Sequence, residues 1–169
     1  MLTWWEGRIT QTGVGIGRYV ISDQTYKRIA EFGLGNGLTG DLHEFRLTPR
    51  GTALVLAYKP VVRDLTTVGV DKRSWVYDSV VQEVTVPGAR VLFEWHSIDH
   101  VPLAESVSRK PAKTASRKAP FDYFHVNSVD LEPNGNLLVS ARNTHTLYEI
   151  DRKDGHIVWR LGGKESDFA

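Results

Sequence analysis

The feature that most constrains the fold is an internal repeat made of two hairpin patterns. Residues Phe45–Tyr58 align without a gap on Val129–Arg142, and Glu83–Trp95 align on Glu149–Leu161. Each segment is rich in β-branched and apolar residues and is bounded by Gly, Pro, Asn or Asp, a pattern typical of antiparallel hairpins. Two hairpins per copy make four strands, and tandem four-stranded units are typical of the blades of a β-propeller. The sequence therefore predicts an all-β fold.

Helical periodicity is nearly absent, and short strand patterns follow one another along the chain. The predicted strands are Leu2–Ile9, Gly17–Ser22, Lys27–Glu31, Leu42–Leu47, Ala53–Tyr58, Ser79–Val84, Arg90–Trp95, His125–Leu131, Leu137–Ala141, Thr146–Ile150 and His156–Arg160. A propeller closes with about four to eight blades, whereas these strands supply roughly two and a half to three. We therefore expect residues 1–169 to form a partial β-propeller, an incomplete domain of a larger ring. Its open blade edges would favour self-association.

Two segments interrupt the strand pattern. The first copy carries an insertion between its two hairpins, where residues Lys59–Asp78 contain Pro60, Gly69 and several charges, which predicts one long connection. Residues 106–120 hold five Lys or Arg and no acidic residue, although the formal net charge of the whole chain is only +1. We predict that this segment is a mobile basic insertion in a mildly acidic body. The alternative is a basic patch that attracts anions.

Composition excludes several classes of protein and site. The chain has no cysteine, which excludes disulfides, thiolate zinc ligands and cysteine nucleophiles. The longest apolar stretches, such as Leu54–Tyr58, are far shorter than the roughly 18 to 20 residues of a membrane-spanning helix. The first residues show no basic region followed by an apolar one, so we expect no signal peptide within this sequence.

Four polar residues are candidates for a site in the propeller channel: His43, His125, Asn127 and Arg142. The two histidines each open the predicted first strand of a unit, and first strands line the channel. Arg142 ends the next strand, where the other copy has Tyr58. Arginine offers a bidentate fork to an anion, and imidazole can donate, accept or attack. These residues predict an anion cradle; the alternative is that they satisfy buried backbone groups.

The remaining histidines do not predict a metal site. His96 and His100 are four residues apart but are expected in a loop after the strand Arg90–Trp95. His43-Glu44 is not followed by a second histidine at metalloprotease spacing. No metal and no other cofactor is predicted.

A set of longer motifs occurs in a fixed order along nearly the whole chain. The motifs are Thr3–Gly7, Asp41–Phe45, Gln82–Glu83 with Phe93–Trp95, Asp99–Val101, Asp122–Ser128, Leu138–Asn143 and Ile157–Lys164. Together they resemble the arylsulfotransferase family, in particular its branch common in fungi and actinobacteria. The fold that this resemblance implies is a β-propeller, in agreement with the internal repeat.

The resemblance also implies an activity, which is PAPS-independent transfer of a sulfuryl group from a phenolic sulfate ester to a phenol through a sulfated histidine. His43, His125 and Arg142 match family positions that contact the sulfuryl group or stabilise its charge, and they are the expected catalytic residues. His125 could also shuttle a proton to the phenol oxygen. Asn127 and His100 are expected to bind substrate. The implied partners are a small-molecule aryl sulfate and a phenol, with no nucleic acid, and relatives are often exported.

One departure from the family concerns its nucleophilic histidine, which lies downstream of the Trp-Arg-Leu-Gly-Gly motif. None of the six histidines matches it, and His145 and His156 are expected to be exposed in an outer hairpin. We therefore expect a truncated transferase that is weak or inactive alone. Two other functions stay open: a non-catalytic binding or scaffold propeller, and a quinoprotein-like propeller, because Asp151–Trp159 resembles a blade repeat of quinone enzymes.

Overall fold

The computed structural model describes residues 1–70, 73–109 and 115–168, which form three antiparallel sheets, so the all-β prediction is confirmed. The first sheet has the order β1 (Leu2–Ile9), β2 (Gly15–Ser22), β3 (Arg28–Phe32). The second has the order β4 (Phe45–Leu47), β5 (Thr52–Arg63), β6 (Ser74–Thr85), β7 (Val91–His96). The third contains β8 (Val126–Leu131), β9 (Leu137–Ala141), β10 (Thr146–Ile150) and β11 (Ile157–Gly162), again neighbours in chain order.

Helical structure in the described residues is limited to short turns. The helix α1 spans Ser97–His100, and 3-10 turns span Thr66–Val68 and Leu103–Glu105. No helix among the described residues is long and apolar enough to cross a membrane.

The two four-stranded sheets share one pairing register at the aligned positions. Phe45 lies opposite Val55 in the second sheet, and Val129 lies opposite Val139 in the third. Both sheets also shift register at the same place on the third strand, directly after Glu83 in one and directly after Glu149 in the other. Hydrophobic pattern and turn length fix register, so the aligned sequences specify the same hairpin geometry twice.

Each four-stranded sheet contains one buried carboxylate that accepts hydrogen bonds near the connection between its first two strands. Glu83 accepts a 2.6 Å hydrogen bond from the hydroxyl of Thr52, the first residue of β5. Glu149 accepts two 2.7 Å hydrogen bonds from the side-chain amides of Asn134 and Asn136, in the turn between β8 and β9. Buried carboxylates need such donors because desolvation otherwise penalises their charge.

The larger apolar core lies between the second and third sheets. Its largest fully buried side chains are Trp95, Tyr123, Phe124, Tyr148 and Leu54. Burying one such side chain contributes about 1.5–3 kcal/mol. A smaller cluster joins the first and second sheets. The core thus fixes the three sheets relative to one another around the site described below.

The prediction of a connection over Lys59–Asp78 is wrong, because β5 and β6 continue as an extended hairpin. Lys59 lies opposite Asp78 and Arg63 lies opposite Ser74, and the chain turns back only beyond Arg63. Pro60 is compatible with this strand because β4 pairs only as far as Val55, which leaves the extension of β5 with a free edge. The hairpin of β5 and β6 therefore continues past Phe45, the first residue of β4, and Tyr58 on β5 lies next to His43.

The described parts of the basic segment 106–120 are attached at both ends. The Val107 amide donates to the Asn143 carbonyl at 2.8 Å, and the Ala115 amide donates to the Ser74 hydroxyl at 2.6 Å. The Arg117 guanidinium lies 5.8 Å from the centre of a Trp75 ring. Lys110 and Lys113 lie outside the described residues. The mobility of the segment stays a prediction.

Candidate functional site

The two central histidines lie directly before first strands and not inside them. β4 begins at Phe45, so the prediction that His43 opens a strand starting at Leu42 is wrong. The Asp41 side chain stops the strand there, because its carboxylate accepts the backbone amides of His43 at 2.8 Å and Gly15 at 2.5 Å. His125 likewise precedes β8, and its backbone is left-handed with φ of 55°.

Each of these histidines is bound by a nearby carboxylate. Asp41 Oδ1 lies 2.5 Å from His43 Nδ1, and Asp122 Oδ2 is hydrogen-bonded to His125 Nδ1. A carboxylate at Nδ1 places a proton on that nitrogen and fixes the ring orientation, which leaves Nε2 for a substrate. Both aspartates lie in motifs of the sequence, Asp41–Phe45 and Asp122–Ser128, but no local pattern predicts their role.

The imidazole rings of the two His–Asp pairs, His43 with Asp41 and His125 with Asp122, contact each other. The ring centroids of His43 and His125 are 5.0 Å apart, and the ring planes cross at 85°. The side chain of His43 is 22% exposed, whereas that of His125 is 6% exposed. The site therefore offers one accessible imidazole supported by a second, more deeply buried one.

The charges around His43 favour its protonated form. The hydrogen bond that His43 donates to the Asp41 carboxylate raises the pKa of His43, partial burial opposes this, and the Asp122 charge raises the pKa further. Arg142 has the opposite effect and lowers the pKa of His43 by charge repulsion. His43 consequently keeps its proton to higher pH than a free histidine does.

Tyr58 is a site residue that sequence reasoning missed. Its ring centroid lies 5.6 Å from that of His125 and 6.0 Å from that of His43, and its hydroxyl donates to the Val126 carbonyl. Burial raises the pKa of Tyr58 far above its usual value, so the hydroxyl stays neutral and serves as a donor. The sequence showed Tyr58 only as the counterpart of Arg142 in the repeat.

Arg142 and Asn127 lie beside the histidine pair. They line an open cleft of about 360 Å³ together with His145, and the Arg142 amide donates to the His125 carbonyl at 2.9 Å. The Arg142 side chain is exposed, as is His145 in the turn between β9 and β10. Asn127 Oδ1 is buried and has no hydrogen-bond partner among the described residues. The cleft thus presents an exposed arginine beside Asn127, whose unpaired Oδ1 is buried behind the cleft surface.

His96 and His100 do not lie in a loop, which corrects the sequence prediction. His96 is the last residue of β7, with Nδ1 2.6 Å from Asp78 and Nε2 3.0 Å from Glu94. His100 ends α1, and its ring stacks on Trp95 with centroids 5.2 Å apart. Burial lowers the pKa of His100.

His100 lines a second open cleft, of about 400 Å³, with Arg63, Ile98 and Pro102. Within the described residues, no ring contact joins His100 to either central histidine. The structure therefore brings together His43, His125, Arg142 and Asn127, and places His100 in different surroundings.

One further group of side chains could hold a metal ion. Ligand atoms of Asp151, Asp154 and His156 lie within 4.8 Å of one another in the turn between β10 and β11. His156 Nδ1 is already hydrogen-bonded to Asp154 at 2.6 Å, and both residues are exposed. These ligand types suit a divalent cation, but strong sites are normally more enclosed.

Fold and site together define an all-β protein with two carboxylate-bound histidines beside an arginine. The family model described as Arylsulfotransferase (ASST) matches residues 1–169, and the chain belongs to this family. The resemblance seen in the sequence motifs is thereby confirmed.

Comparison with individual proteins adds little to the family assignment. The chain matches no curated protein. It is similar to a crystal structure of a protein of unknown function from Bacteroides caccae, with 15% sequence identity and a TM-score of 0.35. The match covers 94% of this chain and 61% of that one, so the chain spans less than two thirds of the length of that protein.

Proposed function

We propose that the protein is a PAPS-independent aryl-sulfate sulfotransferase whose sheets are blades of a β-propeller. The observation that carries the proposal is the ring contact between His43 and His125, each bound to a carboxylate, with the charge of Arg142 acting on His43. Family membership supplies the reaction class. The shared register of the two four-stranded sheets supports the blade repeat.

The proposed chemistry assigns binding of the sulfuryl oxygens to His43 and Arg142. During transfer, negative charge spreads over these oxygens, and preorganised cationic N–H donors stabilise it. A protonated His43 can donate from Nε2, since Nδ1 is engaged by Asp41, and Arg142 can donate from its guanidinium fork. The hydrogen bond to Asp41 orients the His43 ring, and the turn after β9 places the backbone of Arg142 beside it.

Proton transfer is assigned to His125. In the first half-reaction a histidine nitrogen forms a bond to sulfur, the bond from sulfur to the donor oxygen breaks, and the departing phenolate takes a proton from His125. In the second, His125 accepts the proton of the acceptor phenol, whose oxygen bonds to sulfur as the N–S bond breaks. None of the six histidines matches the family's nucleophile by motif, so we propose weak or no transfer by these residues alone.

Asn127 and His100 are proposed as substrate-binding residues. Asn127 lines the cleft with Arg142, and its side-chain amide would bind a phenol hydroxyl there after a side-chain rotation that turns the buried, unpaired Oδ1 outward. His100 would bind from the cleft that it lines with Arg63. Replacing His100 by Ala should then raise the dissociation constant of an aryl sulfate about 5-fold. A change in melting temperature with unchanged affinity would assign His100 to packing on Trp95 alone.

The central experiment measures binding and turnover separately with p-nitrophenyl sulfate as donor and a phenol as acceptor. We expect the protein to bind the sulfate ester, and Arg142→Ala to weaken binding at least about 10-fold through loss of a charge-assisted bidentate contact. Arg50→Ala is the control, since Arg50 is also exposed but lies at the turn between β4 and β5. Absence of binding would overturn the proposed function, and rapid release of p-nitrophenolate would overturn the proposed weakness.

Two alternatives give different results in the same experiments. A scaffold or binding propeller would bind a ligand and never transfer sulfuryl, even after a nucleophile-bearing segment is supplied. A quinoprotein-like propeller would take up a quinone in a calcium-dependent manner, for which the carboxylates of Asp151 and Asp154 are the candidate oxygen ligands.

We also propose self-association through open strand edges. The edge strand β3 exposes Ile29, 57% exposed, and the edge strand β11 exposes Val158 and Leu161, each 45% exposed. The backbone of β11 is in part occupied by the following segment, because the amide and carbonyl of Arg160 both pair with Asp167. The edge of β3 is therefore the main candidate. Such edges pair readily with another chain. Light scattering after size-exclusion chromatography should show a concentration-dependent mass; a constant monomer mass would contradict this.

A further inference from the structure

Tyr58 connects the extended hairpin to the segment that carries His125. Its hydroxyl donates to the carbonyl of Val126, the residue after His125, and its ring packs on the His125 ring at a centroid distance of 5.6 Å. Tyr58 lies on β5 just beyond the part of the strand that pairs with β4. It therefore contacts His125 from a different sheet.

The conformation of His125 is one that a histidine rarely adopts without support. Its φ of 55° is left-handed, which crowds a residue that has a side chain. Three contacts hold it there: Asp122 binds the ring nitrogen, the Arg142 amide binds the His125 carbonyl at 2.9 Å, and Tyr58 binds the next carbonyl. Of these three, the Tyr58 contact comes from outside the third sheet and the segment that leads into it. The second sheet adds a longer contact, in which the Val126 amide donates to the Ser79 hydroxyl at 3.4 Å, and the His43 ring packs on that of His125.

Tyr58 is itself held in place by the hairpin extension and by the first sheet. The rings of Tyr58 and Tyr77 meet edge to face, with centroids 5.6 Å apart and planes at 80°. The Tyr77 hydroxyl is 2.9 Å from that of Thr12, in the turn between β1 and β2. A continuous set of contacts thus runs from the first sheet through two tyrosines to His125.

We infer that Tyr58 is a positioning residue of the site, which holds His125 in the left-handed conformation that brings its Nδ1 to Asp122. Its effect on rate rests on the proposed function, whereas its effect on the geometry of His125 does not. A phenylalanine at this position keeps the ring contact and removes the hydroxyl donor. The Val126 carbonyl then loses its bond, the backbone at His125 relaxes, and the hydrogen bond to Asp122 loosens.

The test follows the Nδ1–H proton of His125 by NMR in the whole chain with ¹⁵N-labelled histidine. Its resonance is assigned by its disappearance in His125→Gln. We expect Tyr58→Phe to accelerate exchange of this proton with water at least about 10-fold, because a loosened hydrogen bond protects it less. The matched control is Tyr148→Phe, which removes the buried 3.0 Å hydrogen bond from Tyr148 to Glu105 without touching His125.

The outcomes separate positioning from general packing. Faster exchange in Tyr58→Phe with unchanged exchange in Tyr148→Phe supports the inference. Unchanged exchange in Tyr58→Phe overturns it, and so does equal acceleration in both variants, which would indicate a global loss of stability. If Tyr58→Phe does not fold, Tyr77→Phe replaces it and should give a smaller acceleration.

A second measurement addresses the reaction in a preparation that transfers sulfuryl. Tyr58→Phe should lower kcat about 10-fold with little change in KM, because substrate binding through Arg142 is retained. If no preparation transfers sulfuryl, the proposed function fails while the exchange measurement still decides the role of Tyr58.

Discussion

Arg152, in the turn between β10 and β11, forms an ion pair with Glu83 on β6 of the neighbouring sheet. The Glu83 side chain is 1% exposed, so removing its partner leaves a buried charge. Breaking a buried pair costs about 3–5 kcal/mol. Because Thr52 still donates to Glu83, we expect Arg152→Ala to lower the free energy of unfolding by about 3 kcal/mol in urea titrations.

The control for that ion pair is Arg50→Ala. Arg50 also faces Glu83, but at 3.6 Å and with a side chain that is 51% exposed. Exposed ion pairs contribute only about 0–1 kcal/mol. Equal losses in the two variants would contradict a special role for Arg152 in joining the second and third sheets.

His96 predicts a pH dependence of stability. The hydrogen bond to the Asp78 carboxylate, opposed by burial and supported by Glu94, raises the pKa of His96 from 6.5 to about 9. The folded state therefore binds this proton more tightly than the unfolded state. The stabilisation is complete below pH 6.5 and is lost as pH rises through about 9, and it amounts to about 3 kcal/mol.

Urea titrations between pH 6 and pH 10 measure this effect against His96→Gln. The variant should lose the part of the pH dependence that lies between about 6.5 and about 9. His156→Gln is the control, because His156 is exposed in a surface turn. A pH dependence that persists unchanged in His96→Gln would refute the assignment.

Asp41→Asn tests the protonation state proposed for His43. Asparagine is nearly isosteric but removes the charge that raises the pKa of His43, so the pKa should fall. If protonated His43 binds the sulfuryl oxygens, affinity for p-nitrophenyl sulfate declines as pH rises through that pKa. The decline should therefore move to lower pH in Asp41→Asn, as followed by titration calorimetry at several pH values. A midpoint that does not move would remove His43 from anion binding.

Gly163 predicts a large packing penalty in the Ile157–Lys164 motif. Its φ is +69°, and a Cβ atom there would lie 2.1 Å from the Thr146 hydroxyl. Gly51 has a similar φ of +74° with nothing within 4 Å of the added atom. We expect Gly51→Ala to cost about 1 kcal/mol and Gly163→Ala at least about 3 kcal/mol in unfolding free energy. Equal costs would show that backbone strain alone sets both values.

Strand positions were predictable wherever the run of apolar residues and the turn residues that bound it gave the same limits. β9 and β10 have the predicted bounds, since apolar runs there end at clear turn residues. The extension of β5 past Tyr58 was not predictable, because Pro60 and several charges are normally signs of a loop. The extension tolerates Pro60 and the charges because one edge of it is not paired with β4. That follows from the structure, in which the pairing of β4 reaches only Val55.

The candidate site also contains residues that the sequence predicted and residues that it did not. Matching motif positions identified His43 and His125, whose rings do meet. The contacts of these histidines with Asp41 and Asp122 were not predicted. Each joins residues only two or three apart in the chain, and such a contact depends on the local turn conformation. Tyr58 comes from a different sheet, so no local pattern could connect it to His125.

The carboxylates Glu83 and Glu149 have a consequence for how such a chain can grow. Glu149 is satisfied within its own sheet, by Asn134 and Asn136. Glu83 has Thr52 of its own sheet as one donor, but its close ion pair is with Arg152 of the neighbouring sheet. A copy of the third sheet would therefore bring the donors for its buried charge, whereas a copy of the second sheet would still need a cation from the sheet next to it.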